Sequence, residues 1–458
     1  MGSEGYFVMM DPEEEWMVSL RKKVEHAAFR KHRRDNPPTI FRVPAAMRRG
    51  GAAGAAYTPK VISIGPYHRD DPALKPMDEL KLLYLHKLLL RNPGVALEDY
   101  VELVRGLEAQ ARASYHDDVG MCSDRFVETM LLDGCFVVEL FLMQLDGGEG
   151  GDAQYDDPNL STVWTFPLVQ YDLLMLENQI PYVVLLHIYH LATTPPSYRG
   201  DYYYLSQLAH AFFNNHLPRD RLVIPPEDVV PQYHHLLHFF HSCIMPEGYR
   251  HKLLDVSSTT NRPAPLYRRG SVPSATRLKE AGIVFKAKEG ADSFLDVGFR
   301  DGVMEIPTLK VYDHTECLFR NLIAFEQCFP GAGGYFGAYA MMMDCLISAP
   351  EDAALLHRYG CIASGLGDPG CAARLFNDLR KDAAADRRSC YLSAAFEGMR
   401  RHCDSRWNRW RAKLMRDYFG NPWSVLSLAA ALVLIFLTVV QALFSVLSIT
   451  NLLLKDIV

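Results

Sequence analysis

The chain has little of what staples, secretes or catalyses. None of its ten cysteines stands within three residues of another, so the C-x-x-C spacing of zinc knuckles and dithiol redox motifs is missing. They fall singly from Cys122 to Cys403, beside apolar neighbours as in Gly134-Cys135-Phe136-Val137. That pattern reads as buried thiols, not as a disulfide framework. The N-terminus has no apolar run of leader length, and Asp11, Glu13, Glu14 and Glu15 make it acidic; no signal peptide is expected. Tyr6 stands where N-myristoylation asks for Ser or Thr. Formal net charge is −6, which argues against a nucleic-acid partner. The chain has no G-x-x-x-x-G-K, no G-x-S-x-G elbow and no kinase signature. A glycine loop for nucleotide phosphates is not expected anywhere.

What is present is length, 458 residues with 49% hydrophobic and 22% charged content, enough to bury a core without disulfides. Residues 1–38 form a charged segment, partly disordered, with one short helix over 16–30 and a basic cluster at Arg30, Lys31, Arg33 and Arg34. Residues 39–420 form the globular body, interrupted by a Gly/Asp-rich flexible loop at 147–158; residues 50–56 are also Gly/Ala-rich. Helical spacing runs over 77–90. Ser123 is a fitting N-cap for a helix to about Leu145. The stretch 172–189 is apolar but holds Pro181, which predicts two helices meeting near Gln179. Gly282 suits the C′ stop of a helix over 277–281, with a strand following at 283–285. Alternation over 294–312 around Arg300-Asp301-Gly302 predicts a hairpin, and helices resume from Thr315. The fold class is therefore mainly α with a small β insert, α+β, as one large helical body plus one C-terminal transmembrane helix.

That last helix rests on residues 423–449, which carry no charge and exceed the ~20 apolar residues a bilayer crossing needs. Residues 450–458 form a short tail. Arg406, Arg409, Arg411, Lys413 and Arg416 precede the span, while only Lys455 and Asp456 follow it. The positive-inside rule then puts the body in the cytosol, as a single-pass, tail-anchored protein. Arg411, Lys413, Arg416 and Trp423 are the expected membrane-interface residues. Asn159-Leu160-Ser161 is the one glycosylation sequon, and it is usable only if the body is lumenal.

Two groups of residues invite chemistry. On a helix His234, His238 and His241 would share a face at metal-ligand spacing, with His235 beside them, but no H-E-x-x-H glutamate accompanies them. Interleaved Leu236, Leu237, Phe239 and Phe240 favour plain packing, so no metal is expected. Glu177-Asn178-Gln179 and Glu326 sit in apolar runs. Buried unpaired they would be costly, so capping and internal hydrogen bonding are expected, and no catalytic residue is assigned.

Six ordered segments carry a resemblance. They are Val61-Ile62-Ser63-Ile64-Gly65-Pro66-Tyr67-His68, Phe126 to Phe136, Asp172-Leu173-Leu174-Met175-Leu176-Glu177-Asn178-Gln179-Ile180-Pro181, Ala281 to Phe285, Arg320 to Gln327, and Tyr418 to Trp423. Over about 40–450 the chain resembles the plant family called domain of unknown function 247, or uncharacterised protein family 0481. The resemblance implies a membrane protein with one C-terminal span, at the plasma membrane first and the endoplasmic reticulum second. It carries over no catalytic or cofactor residue. Some grass members are candidate self-incompatibility determinants. The expected function is a non-enzymatic recognition or signalling component, bound to the bilayer through 423–449 and to an unidentified protein partner. The alternatives are an enzyme with an unrecognised site in the helical body and a structural membrane scaffold.

Overall fold

The computed structural model describes residues 16–18, 20, 21, 24, 37–48, 54–146, 165–193, 202–214, 233–246, 272–365 except 292 and 313, 369–382, 390–418 and 422–455. The loop 147–158, Asn159, the basic cluster at 30–34 and most of the predicted 16–30 helix lie outside them. In chain order the elements are α1 (Asp78–Arg91), α2 (Leu97–Ser114), α3 (Ser123–Asp146), α4 (Thr165–Asp172), α5 (Tyr182–Thr193), α6 (Tyr202–Phe213), α7 (Leu236–Ile244) and α8 (Ala275–Glu280). Strands β1 (Val284–Ala287), β2 (Gly298–Arg300), β3 (Val303–Ile306) and β4 (Leu309–Val311) follow. Then come α9 (Thr315–Cys328), α10 (Tyr335–Leu346), α11 (Pro350–Arg358), β5 (Ile362–Ser364), α12 (Pro369–Asp382), α13 (Ser393–Asp404), α14 (Arg406–Tyr418) and α15 (Pro422–Lys455). The mainly helical class with a small β insert holds.

The first half is organised around α3. Its run from Phe126 to Leu142 is apolar on nearly every side, and so it is buried nearly all round. Helices α1, α2, α5 and α6 pack on it. Phe136 meets Tyr84 of α1 with ring centroids 5.0 Å apart, and Phe141 meets Phe212 of α6 at 4.9 Å. Near the end of α3, Glu139 takes a two-pronged ion pair from Arg91, at 2.6 and 3.0 Å. One contiguous apolar core runs from Ile40 to Met399.

In the second half α9–α12 pack on one another, with α11 against β5 of one of two small sheets. β1 pairs parallel with β3 and β2 antiparallel with β3. The β2–β3 turn is Asp301-Gly302, both with positive φ (51° and 80°), the two-residue hairpin geometry that matches strand twist. The alternation over 294–297 does not form strand, so the insert is shorter than its sequence pattern. β4 pairs parallel with β5, a strand that the helical spacing after 315 conceals. α8 stops as the glycine predicts: Gly282 N–H reaches the Lys279 carbonyl and Ile283 N–H reaches that of Leu278, both at 2.9 Å.

Two boundaries are corrected. Ser123 begins α3 and does not cap it; its hydroxyl donates to Glu108 Oε2 at 2.6 Å. The 172–189 stretch is two helices, but they do not meet at Gln179. Nine non-helical residues, 173–181, separate α4 from α5, because their polar side chains bond to other parts of the chain, as set out below.

α15 breaks the pattern of the rest. Val425–Val446 has a mean hydropathy of 2.5, and its apolar window is nowhere buried against the body. It is long and apolar enough to cross a membrane.

If α3 is the central strut, truncating Phe136 leaves a cavity that the surrounding helices cannot close. Phe136→Ala is expected to cost about 3–5 kcal/mol and Phe136→Leu much less. The midpoint of denaturant unfolding in detergent is the measurement; equal effects of the two variants would contradict the packing.

Candidate functional site

The polar residues that sequence singles out converge on one buried hub. The segment 60–65 is neither helix nor strand and runs past the 172–181 link. Its amide hydrogens still need acceptors, since an unpaired buried N–H is costly. Asp172 supplies three: its carboxylate accepts from Lys60 at 3.0 Å, Val61 at 2.7 Å and Ile62 at 3.0 Å. Asn178 Oδ1 accepts from Ile64 at 2.6 Å, and its Nδ2 donates to the Ile62 and Asp172 carbonyls at 3.0 and 2.9 Å. Asp133 of α3 takes Gly65 N–H at 2.7 Å through one oxygen and pairs with fully buried Lys81 at 2.6 Å through the other. Gly65, at φ 80°, lies so close to the Gln179 carbonyl that a Cβ there would sit 2.4 Å from its oxygen.

Gln179 and Glu177 extend the hub. Gln179 Nε2 donates to the Leu173 and Met175 carbonyls at 2.7 and 2.8 Å, and its Oε1 accepts from Leu237 N at the start of α7, at 3.1 Å. Glu177 accepts the Val43 amide, pairs with Arg48, and lies 3.4 Å from His68 Nε2. Burial pushes the Glu177 carboxyl up, but His68, Arg48 and the Val43 amide outweigh it and hold it below the usual range. From α9, Asn321 Oδ1 accepts Leu176 N at 2.9 Å while its Nδ2 donates to the Ala56 and Cys317 carbonyls at 2.8 and 2.9 Å. Asp172, Asn178 and Asp133 are at most 1% exposed. Their acceptors face backbone amides and a lysine and so tie separate parts of the chain together.

The histidines are placed differently from the expectation. α7 begins at Leu236, so His234 lies before the helix and does not share its face; His235 is the N-cap, accepting His238 N–H on Nδ1 at 3.2 Å. His234 and His238 stack with centroids 4.9 Å apart, and His238 Nδ1 accepts the His234 amide at 3.2 Å. His235 Nε2 lies 3.1 Å from the Thr39 carbonyl. His241 Nε2 is 3.1 Å from Glu326 Oε1, and the Glu326 carboxylate also accepts Tyr335, Phe336 and Gly337 amides at 2.9, 3.0 and 3.1 Å, capping α10. Among the described residues no three side chains of the His, Cys, Asp and Glu types gather as a metal site.

Sequence reading missed Asp133, Lys81 and Asn321 as hub members. A local signal existed for Asp133 alone, a lone polar residue inside an apolar helical run; Lys81 follows Asp78-Glu79 and Asn321 follows Arg320, so neither stood out. One glycine spacing of the dinucleotide-loop kind does occur in the chain. Gly365-Leu366-Gly367-Asp368-Pro369-Gly370 has G-x-G-x-x-G spacing between β5 and α12. Residues 366–368 lie outside the described residues. A dinucleotide fold also needs a second parallel strand after the helix, and among the described residues none follows α12. Arg411, Lys413, Arg416 and Trp423 all lie exposed on α14 and the start of α15.

The profile of a family described as plant protein of unknown function, DUF247, matches residues 40–437. A UPF0481 protein of Arabidopsis thaliana is 29% identical across 90% of this chain and 87% of its own length. A putative UPF0481 protein of the same plant is 22% identical, covering 94% of each chain. No solved structure matches.

Two expectations follow from this geometry. Asp172→Asn turns an NH2 toward amide donors and should cost about 3 kcal/mol, from one lost acceptor and one opposed donor. A variant that melts like the parent would remove Asp172 from the hub. The second is acid lability. Burial holds His234, His235 and His238 below the ordinary imidazole value, His235 at about 3. A base with a lowered folded pKa loses stability as pH falls below the unfolded value, here from about 6.5, at about 1.4 kcal/mol per unit for each group. Asp172, which burial pushes up to about 6 against the pull of its amide donors, acts in the opposite sense between about 6 and 3.8. His235 alone offsets Asp172 over that window, and the lowered His238 and His234 add to the loss, so the unfolding midpoint should drop as pH falls below about 6.5. A flat profile would contradict neutral buried rings.

Proposed function

The chain belongs to the DUF247 family of plant proteins of unknown function, and from that membership we propose a single-pass membrane protein whose helical body faces the cytosol and serves as a non-enzymatic recognition or signalling component. The observation that carries the anchoring is α15. In the body most large apolar side chains are gathered into the core, whereas here Leu434, Ile435, Phe436 and Phe444 stand more than half exposed along one continuous helix. Such a surface is stable only in an apolar solvent. Five cations on α14 before the span, against Lys455 and Asp456 after it, support a cytosolic body.

The non-enzymatic part is supported by where the polar side chains go. Glu177, Asn178, Gln179, Asp172, Asp133 and Glu326 are the residues one would cast in catalysis, and each is committed to holding backbone. Recognition then falls to the surface of the body. A role of the kind considered for some grass members would use that surface for a protein partner, with the plasma membrane as the favoured location.

Alkaline carbonate should leave the full chain in the membrane pellet and release a chain ending before Pro422; a pelleted truncation would overturn the anchor. Expressed in plant cells, Asn159 should stay unmodified while a sequon appended after Val458 is glycosylated. A mass shift on endoglycosidase treatment that disappears in Asn159→Gln would reverse the orientation. Proximity labelling from the body should return plasma-membrane neighbours; endoplasmic-reticulum residents would move the protein there.

A further inference from the structure

We propose that α14 is a second membrane element, lying along an anionic bilayer surface and fixing the body to it; this rests on the reading of α15 as a span. Trp407, Trp410 and Leu414 recur at i, i+3 and i+7 and so form one stripe. Trp407 is 76% exposed and Trp410 77%, in a protein with five tryptophans in all. Exposed tryptophan pairs are unusual on a soluble face, but tryptophan suits the headgroup boundary, where its ring is apolar and its N–H is wet. Arg411 borders the stripe on one side, Arg406 and Lys413 on the other, and the helix carries five cations against one carboxylate, Asp417. That is the pattern of an interfacial helix on anionic lipid.

A different side of α14 holds the body. Asn408 and Ala412 are half-buried, and Asn408 Nδ2 donates to the His402 carbonyl at 2.8 Å. Arg411 lies across Gly282, where an added Cβ would stand 2.6 Å from Nη1. Gly282 has φ 94° and is the stop of α8, just before β1. The turn that ends α8 thus doubles as the seat of the helix leading to the anchor. Only residues 419–421 separate α14 from α15, so the tryptophan stripe cannot leave the neighbourhood of the point where α15 would enter the bilayer. That continuity selects lipid over a protein partner as the occupant.

Tryptophan quenching in the reconstituted full chain tests this. With Trp16, Trp164 and Trp423 replaced by Phe, Trp407 and Trp410 are the remaining emitters. In vesicles of phosphatidylcholine with phosphatidylserine, lipids brominated near the top of the acyl chain should blue-shift and quench this emission at least twofold. A second chain keeping Trp423 as its one tryptophan reports the anchor. Quenched Trp423 with unquenched, water-like emission from Trp407 and Trp410 would overturn the proposal and leave the span standing. Loss of quenching in both chains would sink the span as well. Equal quenching without phosphatidylserine would overturn the anionic preference. Should the Phe variants melt early, the unmodified chain photolysed with a lipid carrying a diazirine near the glycerol gives the same answer. Adducts on 407–414 are expected, and adducts confined to 423–446 would overturn the proposal.

Discussion

The fold depends on five backbone amides, those of residues 60–62, 64 and 65, that are buried or half-buried with no strand or helix to accept them. A non-helical segment entering a helical core must solve this or stay outside. Here side chains substitute for the missing strand. Asp172 gathers three consecutive amides on one carboxylate, an arrangement no neighbouring strand offers, Asn178 takes the amide of Ile64, and Asp133 takes that of Gly65 from α3. Because each acceptor sits on a different part of the chain, the solution also sews residues 40–65, α3, the 173–181 link and α9 together. The link cannot then be helical: in a helix its own amides and carbonyls would be used internally, and Asn178 and Gln179 would have nothing to bridge.

Desolvation sets the terms for everything attached to this hub. Buried polar groups that are fully matched stiffen a core, and half-matched ones weaken it. His235 illustrates the matching. It accepts the His238 amide on one nitrogen and faces the Thr39 carbonyl with the other, which suits the neutral ring alone. A proton on Nδ1 would face an N–H donor. The cluster that looks like a metal site in one dimension is a chain of amide-to-ring and ring-to-carbonyl contacts in three. His241 is drawn off to Glu326, which is itself occupied by the first turn of α10.

Much of this was legible in sequence, and the limits are physical. Helix-forming periodicity located α1, α3 and α9, and Gly282 marked the end of α8, since these depend on residues within one or two turns of each other. The apolar run of α15 declared itself by length. The placing of Glu177-Asn178-Gln179 between two helices was half right, because Pro181 signals a break but nothing local says that the break extends nine residues. β5 went unseen because three residues paired to a strand fifty positions away leave no periodic trace. Six segments could be read as one family signature, yet their reason for existing together is spatial. Four of them meet at the hub or beside it: Ile62 to Gly65, Asp133, Asp172 to Gln179, and Asn321 with Glu326.

Turning polar side chains inward has a consequence for where function can reside. A carboxylate that accepts three amides holds the chain that donates them, and moving it would unfasten that chain. The hub therefore argues for a body that keeps one shape. Under the proposed reading of α15 as a membrane anchor, such a body would act through the surface it presents and its angle to the bilayer. On this view the small β insert matters more than its size suggests. It follows directly on the turn at Gly282, where Arg411 of the pre-anchor helix is seated, while the hairpin turn at Gly302 lies against His402 of α13. Both helices before the anchor thus land on glycine turns of the insert. Glycine permits the closest approach of a packing side chain to backbone, so these seats transmit orientation with little slack. The inward hub ties the body together, and the glycine seats place α13 and α14, the two helices before α15, against the β insert.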